Sequence, residues 1–488
     1  MSFFSIGFII FFVFTFIIYN SVTCNYRHIV LLVASYIFYA LFDFKYVLVL
    51  FGVTLLSFIL GKKISILKGN GESTESRLLL GLGIVLILLT LVFFKFGNYF
   101  YLSVHRLFGK ENIIEAGAAA LVAPIGISFF SLEAIGYMVD IYRGTALPEE
   151  NFLKYALFIS FFPKIISGPI ERSTNLLKQI HDGIKFEYEK VKTGFFYILW
   201  GSFIKLLIAN RLSVIVDAAF SEYQEQTGFT LLIAVVIYGV QLYVDFSGYS
   251  YIAIGMAGVF GYDLTENFIQ PYFAGNVREF WKRWHVSLSN WLRDYVYIPL
   301  GGSRCGKVRR YFNLIITFLV SGIWHGVGMH FVAWGLLHGI YQIFSVTINS
   351  LNVKNEKEKI IFCRRLIKAF GTFVLIDFAW LFFRAESVGS AIEILSKIIF
   401  YPEIGRTIFE GLCLAGVEVK KVGLLIFELL LLLLVDICHE KNIRVLKWLD
   451  TQDKWFRWGI YVVMSLFIVI GMIRDYGADA STFIYANF

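Results

Sequence analysis

The chain has 488 residues, of which 58% are hydrophobic, 18% aromatic and only 16% charged, with a formal net charge of +8 and a mean hydropathy of +0.69. That composition excludes an ordinary water-soluble domain and defines a polytopic membrane protein. The five cysteines, Cys24, Cys305, Cys363, Cys413 and Cys438, show neither paired spacing nor a metal-ligand pattern, and no Walker loop or dinucleotide fingerprint is found. A disulfide framework, a zinc site and an ATP-driven pump are therefore not expected.

Apolar runs near the ~20 residues that cross a bilayer as helix recur along the chain. In order they are Phe3 to Tyr19, His28 to Leu41, Val47 to Leu60, Leu78 to Phe94, Ala116 to Val139, Tyr155 to Ile166, Phe195 to Phe220 and Phe229 to Phe260. Phe312 to Ile323, Phe331 to Val346, Leu366 to Phe383, Val422 to Ile437 and Trp458 to Ile473 follow. The first run lacks a basic flank and a small-residue cleavage site, so it is expected to remain as a helix. Some runs, Tyr155 to Ile166 with Pro163 and Pro169 among them, read as re-entrant helices, tolerated only where other helices cover their backbone. The expectation is an all-α protein of roughly ten to thirteen spans with re-entrant and interfacial helices. It forms one integral-membrane domain: peripheral helices over residues 1–115, a core over 116–346 and C-terminal helices over 347–488.

The basic residues cluster. Lys62, Lys63, Lys68 and Arg77 follow the third run, and Arg278, Lys282, Arg283, Arg293, Arg304, Lys307, Arg309 and Arg310 precede Phe312. Both loops should face the cytoplasm by the positive-inside rule, and such residues also hold anionic lipid. The second stretch carries only Glu279 and Asp294 as acids and interleaves Phe280, Trp281, Trp284, Trp291, Tyr295 and Tyr297. That mixture suits an amphipathic interfacial helix and an entrance that attracts a polyanion. If Val277 to Tyr297 is one helix, Trp281, Trp284, His285, Leu288 and Trp291 share a face, and Pro299, Gly301 and Gly302 stop it.

Two histidines stand out. His325, in Ser321-Gly322-Ile323-Trp324-His325-Gly326, lies between two apolar runs, where an ionisable group is costly and usually functional. His285 lies 40 residues upstream and is also directly preceded by a tryptophan. Asp245, in the apolar run Tyr243-Val244-Asp245-Phe246, must pair, hydrogen-bond or stay protonated, and a structural or tunnel-lining role is expected. Asp377 and Arg384 read as intramembrane pairing residues, and His330 and His338 as packing residues. His28, His105, His181 and His439 lie at run edges or in loops. Gly168, Gly248 and Gly335 are candidates for close helix approach.

The run Phe280-Trp281-Lys282-Arg283-Trp284-His285-Val286-Ser287-Leu288-Ser289, continuing through Trp291-Leu292-Arg293-Asp294-Tyr295 and Ile298-Pro299-Leu300-Gly301-Gly302, resembles the signature of the membrane-bound O-acyltransferase family. Ser321-Gly322-Ile323-Trp324-His325-Gly326 and Trp334-Gly335-Leu336-Leu337-His338-Gly339 resemble it too. Pro124-Ile125-Gly126-Ile127-Ser128, Phe161-Phe162-Pro163 with Ser167-Gly168-Pro169-Ile170, Asp245-Phe246-Ser247-Gly248-Tyr249-Ser250 and the terminal Phe483-Ile484-Tyr485 with Phe488 resemble its bacterial alginate-acetylation branch.

The resemblance implies helices around a central tunnel and transfer of an acyl group from a cytoplasmic thioester, by analogy acetyl-CoA, to hydroxyls of an extracytoplasmic polysaccharide. It puts the family's catalytic histidine on His325 and its second, polar position on His285. Trp281, Arg283, Trp284, Ser287, Arg293, Trp324 and Asp245 are candidates for donor contact or tunnel lining. It further implies a bacterial cytoplasmic-membrane location, an SGNH-hydrolase-like extracytoplasmic partner, and no metal, bound cofactor or nucleic acid. A sibling acylating teichoic acid with D-alanine, or a lipid or protein, remains open. So does a transporter, although no duplicated halves are seen.

Overall fold

The computed structural model describes residues 3–107, 122–349, 358–403 and 419–474, and among these every regular element is helical. The terminal segment Phe483 to Phe488 and Cys413 lie outside the described residues, as do the side chains of His105 and Cys363. Among the described residues six helices are long and apolar enough to cross a membrane: Phe44–Gly69, Ser73–Tyr101, Gly228–Val259, Arg364–Arg384, Val422–Glu440 and Lys454–Met472. Their outward residues are apolar, as with Ile426, Phe427, Leu430, Leu433 and Leu434, because hydrocarbon rather than water surrounds them. The chain is an all-helical, multi-pass membrane protein.

The described chain forms two compact units. The first comprises Met1–Phe195 with Ala253–Thr265. Here the helix Phe152–Ser160 has nine residues and, at 1.5 Å per residue, is far too short to span. The turns after it are held by side chains: Ser35 Oγ accepts from the Phe162 amide at 3.0 Å, and buried Lys164 pairs with buried Glu133. The other Glu133 oxygen accepts from the Glu171 amide at 2.9 Å. Glu171 in turn accepts from the Thr265 amide at 2.6 Å and from Asn175 Nδ2 at 2.7 Å. Each buried charge thus has partners, as a dry interior requires.

The second unit comprises Phe196–Ile252 and Glu266–Asn487. Its centre is a hairpin of two helices, Lys307–His325 and Met329–Asn349, in which facing glycines remove the side chains that would hold the backbones apart. A Cβ on Gly322 would meet the Phe331 carbonyl oxygen at 2.3 Å, one on Gly335 the Phe318 carbonyl oxygen at 2.4 Å, and one on Gly339 the Ile315 Cα at 3.1 Å. The first helix ends at His325, so this packing fixes the depth and facing of its imidazole against the second helix.

The continuous helix considered for Val277 to Tyr297 is broken into Val277–Arg283 and Val286–Leu292, with His285 between them at φ 41°, ψ 55°. The residues Asn267 to Ile269 run beside the break and supply its hydrogen bonds. The Ile269 amide donates to the Arg283 carbonyl at 2.9 Å, the Val286 amide to the Asn267 carbonyl at 3.0 Å, and the Ser287 amide to Asn267 Oδ1 at 3.1 Å. Left-handed backbone costs a non-glycine residue about 1–2 kcal/mol, which these tertiary bonds offset. A π-helical turn, Arg293–Tyr297, follows, and Gly301 and Gly302 at positive φ close the segment.

Gly335→Leu should lose about 1–3 kcal/mol of stability or more and melt at a lower temperature, because its side chain would collide with backbone. Gly423→Leu, where nothing lies within 4 Å of an added Cβ, should melt with the parent. Thermal unfolding in detergent monitored by circular dichroism makes the comparison, and equal melting of the two variants would contradict this packing.

Candidate active site

His325 is 2% exposed and ringed by aromatic side chains. Its imidazole meets Trp324 at 4.8 Å, Trp334 edge-on at 5.1 Å and Phe383 at 5.2 Å between ring centres. His285, 1% exposed, packs edge-on against Phe246 at 4.7 Å and lies 6.4 Å from the same Trp324. The two imidazoles, separated by 40 residues of chain, therefore share one indole between them. His285 lies outside the six spanning helices, and burial alone pushes its imidazole down to about 3, which keeps it neutral at physiological pH.

The remaining wall is built from Glu358–Arg384 and Met329–Asn349. Trp334 and Trp380 stack at 5.7 Å with planes 20° apart, and Phe383 packs on both at 5.2 and 5.4 Å. Trp284 joins through Trp380 at 5.1 Å and covers Phe268 and Phe280. Trp281, also buried, donates its indole N–H to His338 Nδ1 at 3.2 Å. His330 is held by a 3.1 Å hydrogen bond to the Phe382 carbonyl and fastens one wall helix to the other.

Of the residues singled out in the sequence, the structure gathers His285, Trp281, Trp284, Trp324 and His325 into this aromatic cluster. Ser287 is buried beside it, its amide tied to Asn267. Arg283 turns to carboxylates: Glu279 at 2.6 Å and Glu440 at 2.6 Å, with Arg365 also pairing to Glu440. Arg293 is exposed and bonds Asp294 at 2.7 Å. Asp245 is paired with Lys205, both almost fully buried, and Lys205 also lies 5.3 Å from the Tyr249 ring centre.

Phe246, Trp334, Trp380 and Phe383 were not anticipated at the site, nor was Lys205 as the Asp245 partner. Lys205 could have been found as a cation in the middle of the apolar run Phe195 to Phe220, whose one acid, Asp217, is twelve residues away. The aromatic residues could not, because tryptophan and phenylalanine are the common lining of any membrane interior. Arg384 does pair, with Asp217 at 2.7 Å, whereas Asp377 Oδ1 is buried with no hydrogen-bond partner among the described residues.

Two buried imidazoles walled by aromatic rings, next to a segment whose Arg278, Lys282, Arg304, Lys307 and Arg309 are exposed, form a site suited to moving a proton on and off a hydroxyl away from water. The chain belongs to the membrane-bound O-acyltransferase family, whose sequence model matches residues 121–371, and it is a membrane O-acyltransferase. It is 35% identical to the probable alginate O-acetylase AlgI of Pseudomonas putida over 83% of this chain and 82% of that protein. It is 33% identical to the peptidoglycan O-acetyltransferase of Helicobacter pylori over 76% of this chain and 73% of that one. With the teichoic acid D-alanyltransferase of Streptococcus thermophilus the identity is 29%, over 49% and 60% respectively.

Removing one member of the buried Lys205–Asp245 pair leaves an uncompensated charge, so Lys205→Met should destabilise by about 3–5 kcal/mol. Lys205→Met combined with Asp245→Leu should recover most of that loss. Melting temperatures of the three proteins test this; a double variant no better than Lys205→Met would contradict a simple pair.

Proposed function

We propose that this chain moves an acetyl group from a cytoplasmic acyl-CoA-type thioester to hydroxyls of an extracytoplasmic polysaccharide, with His325 as the base that activates the hydroxyl. The observation that carries the reading is the enclosure of His325: an imidazole closed in by rings can offer its lone pair to a substrate hydroxyl instead of to water. The hydroxyl oxygen attacks the thioester carbonyl as His325 takes its proton. The C–S bond then breaks, and the departing thiolate receives that proton.

His285 orients this centre through Trp324, which it shares with His325. The exposed cations from Arg278 to Arg309 draw the phosphorylated donor to the cytoplasmic mouth, and an open recess lined by Gly306, Lys307, Val308, Arg309 and Phe312 lies among them. Trp281, Trp284, Trp324 and Ser287 line the tunnel in which donor and acceptor meet. Arg283, held by Glu279 and Glu440, anchors the helix that carries them, and Asp245 with Lys205 stiffens the wall behind Phe246.

Acetyl transfer to an exported polysaccharide is favoured over D-alanyl transfer by coverage: the O-acetylating relatives align with 76–83% of the chain, the D-alanyl relative with 49%. The longer C-terminal part, from Arg384 onward, fits the same branch. The transfer to the polysaccharide runs through an SGNH-hydrolase-like partner outside a bacterial cytoplasmic membrane, which takes the acetyl group from the hydroxyl acylated at His325 and passes it to the sugar.

Labelled acetyl-CoA turnover in proteoliposomes tests the chemistry. His325→Ala should fall by about 10³-fold or more, and His285→Ala by less. Undiminished turnover in His325→Ala would remove the proposed mechanism, and an absence of thioester cleavage by the parent would remove the donor.

A further inference from the structure

His338 is fully buried on Met329–Asn349, and its surroundings fix where its proton sits. An indole nitrogen can only donate, so the 3.2 Å bond from Trp281 Nε1 requires a lone pair on His338 Nδ1. In a neutral imidazole the proton must then be on Nε2. That Nε2 is buried and has no hydrogen-bond partner among the described residues. Leaving a buried donor unmet is destabilising, and a purely packing role would be served better by leucine or phenylalanine.

The neighbours repeat the pattern. Trp334 Nε1 and Trp380 Nε1 are also buried without partners, and these rings lie 4.8 and 6.0 Å from His338. Trp334 stands between the two imidazoles, touching His338 on one side and His325 at 5.1 Å on the other. Three unspent N–H donors thus border the ring cage of His325. A group matched to them accepts hydrogen bonds and donates none, which describes a carbonyl oxygen gaining negative charge better than it describes a hydroxyl.

We propose that His338 is a third working histidine of the transfer centre: Trp281 holds it as the Nε2–H tautomer, and that N–H binds the carbonyl oxygen of the acyl group. This rests on the acyl-transfer reading above. When the hydroxyl oxygen bonds to the carbonyl carbon, the carbonyl electron pair moves onto oxygen and is held by His338 Nε2–H with the Trp334 and Trp380 indoles beside it. The pair returns as the C–S bond breaks. His338 gains and loses no proton; His325 carries the hydroxyl proton to the thiolate. In this step Trp281 is a positioning residue, acting through His338.

The test uses the full chain in proteoliposomes with labelled acetyl-CoA, and the variants His338→Leu, His338→Gln and Trp281→Phe, each checked for melting temperature and monodispersity. The glutamine amide places an N–H near the position of Nε2. His338→Leu should lower kcat by about 10²-fold with the donor KM unchanged, His338→Gln should restore most of the rate, and Trp281→Phe should lower kcat less than His338→Leu does. Selectively 15N-labelled histidine should report a protonated Nε2 and a bare Nδ1 for His338 in the parent, and a mixture of tautomers in Trp281→Phe.

Turnover by His338→Leu within twofold of the parent would overturn the proposal. So would equal impairment of well-folded leucine and glutamine variants, or an Nδ1–H signal in the parent, which needs no variant to fold. Parent turnover that ignores His325 defeats the underlying reading, whereas turnover that needs His325 but ignores His338 defeats this inference alone.

Discussion

The close contact between Lys307–His325 and Met329–Asn349 is the constraint on which the site depends. Gly322, Gly335 and Gly339 bring backbone against backbone, with carbonyl oxygens of Phe331 and Phe318 where side chains would otherwise stand. In hydrocarbon no hydrophobic force drives two helices together, so packing of this kind carries the association. It sets His325 at the end of one helix against Trp334 on the other, and it brings His338 of the second helix beside Phe318 of the first, 5.9 Å away. A wider hairpin would scatter the rings that enclose the imidazole.

Around that hairpin, the unit treats charge and neutral polarity differently. Charged groups are neutralised in pairs: Lys205 with Asp245, Arg211 with Glu428 at 2.6 Å, Arg283 with Glu279 and Glu440, Arg384 with Asp217. Apart from Arg283–Glu279, which lies within one helix, these pairs join different helices, and each charge is offset by its partner. At the ring cluster the polar atoms are imidazole and indole nitrogens, a medium in which a transient charge would be weakly screened and strongly felt. The division separates the ion pairs that hold the helices from the uncharged ring donors and acceptors around His325.

Much of this was legible in the sequence. Hydropathy located the spans closely: the run Phe229 to Phe260 is the helix Gly228–Val259, and Leu366 to Phe383 lies within Glu358–Arg384. Ends were harder where charged residues continue a helix, as Lys62, Lys63 and Lys68 do in Phe44–Gly69, because lysine is a good helix former whose charge reads as a loop. His325, His285 and their tryptophans were identified as one site from their motifs. The break at His285 was not legible, since it is imposed by Asn267 and Ile269 from elsewhere in the chain. Nor were the fates of Arg283 and Arg293 legible, because nearby carboxylates, one of them on Glu440, compete for an arginine that looks free in its own segment. His338 read as packing because the hydrogen bond it accepts comes from Trp281, 57 residues away in the chain.

If acyl transfer happens in the aromatic enclosure of His325, as proposed, the donor carbonyl must reach that imidazole. An electron cryomicroscopy structure of the chain bound to a ketone analogue of acetyl-CoA, whose C–C bond cannot be cleaved as a thioester, tests it most directly. The account predicts the ketone carbon within a hydroxyl's reach of the His325 imidazole, about 6 Å or less, among Trp324, Trp334 and Phe383. An analogue bound with its ketone outside that ring of side chains would contradict it.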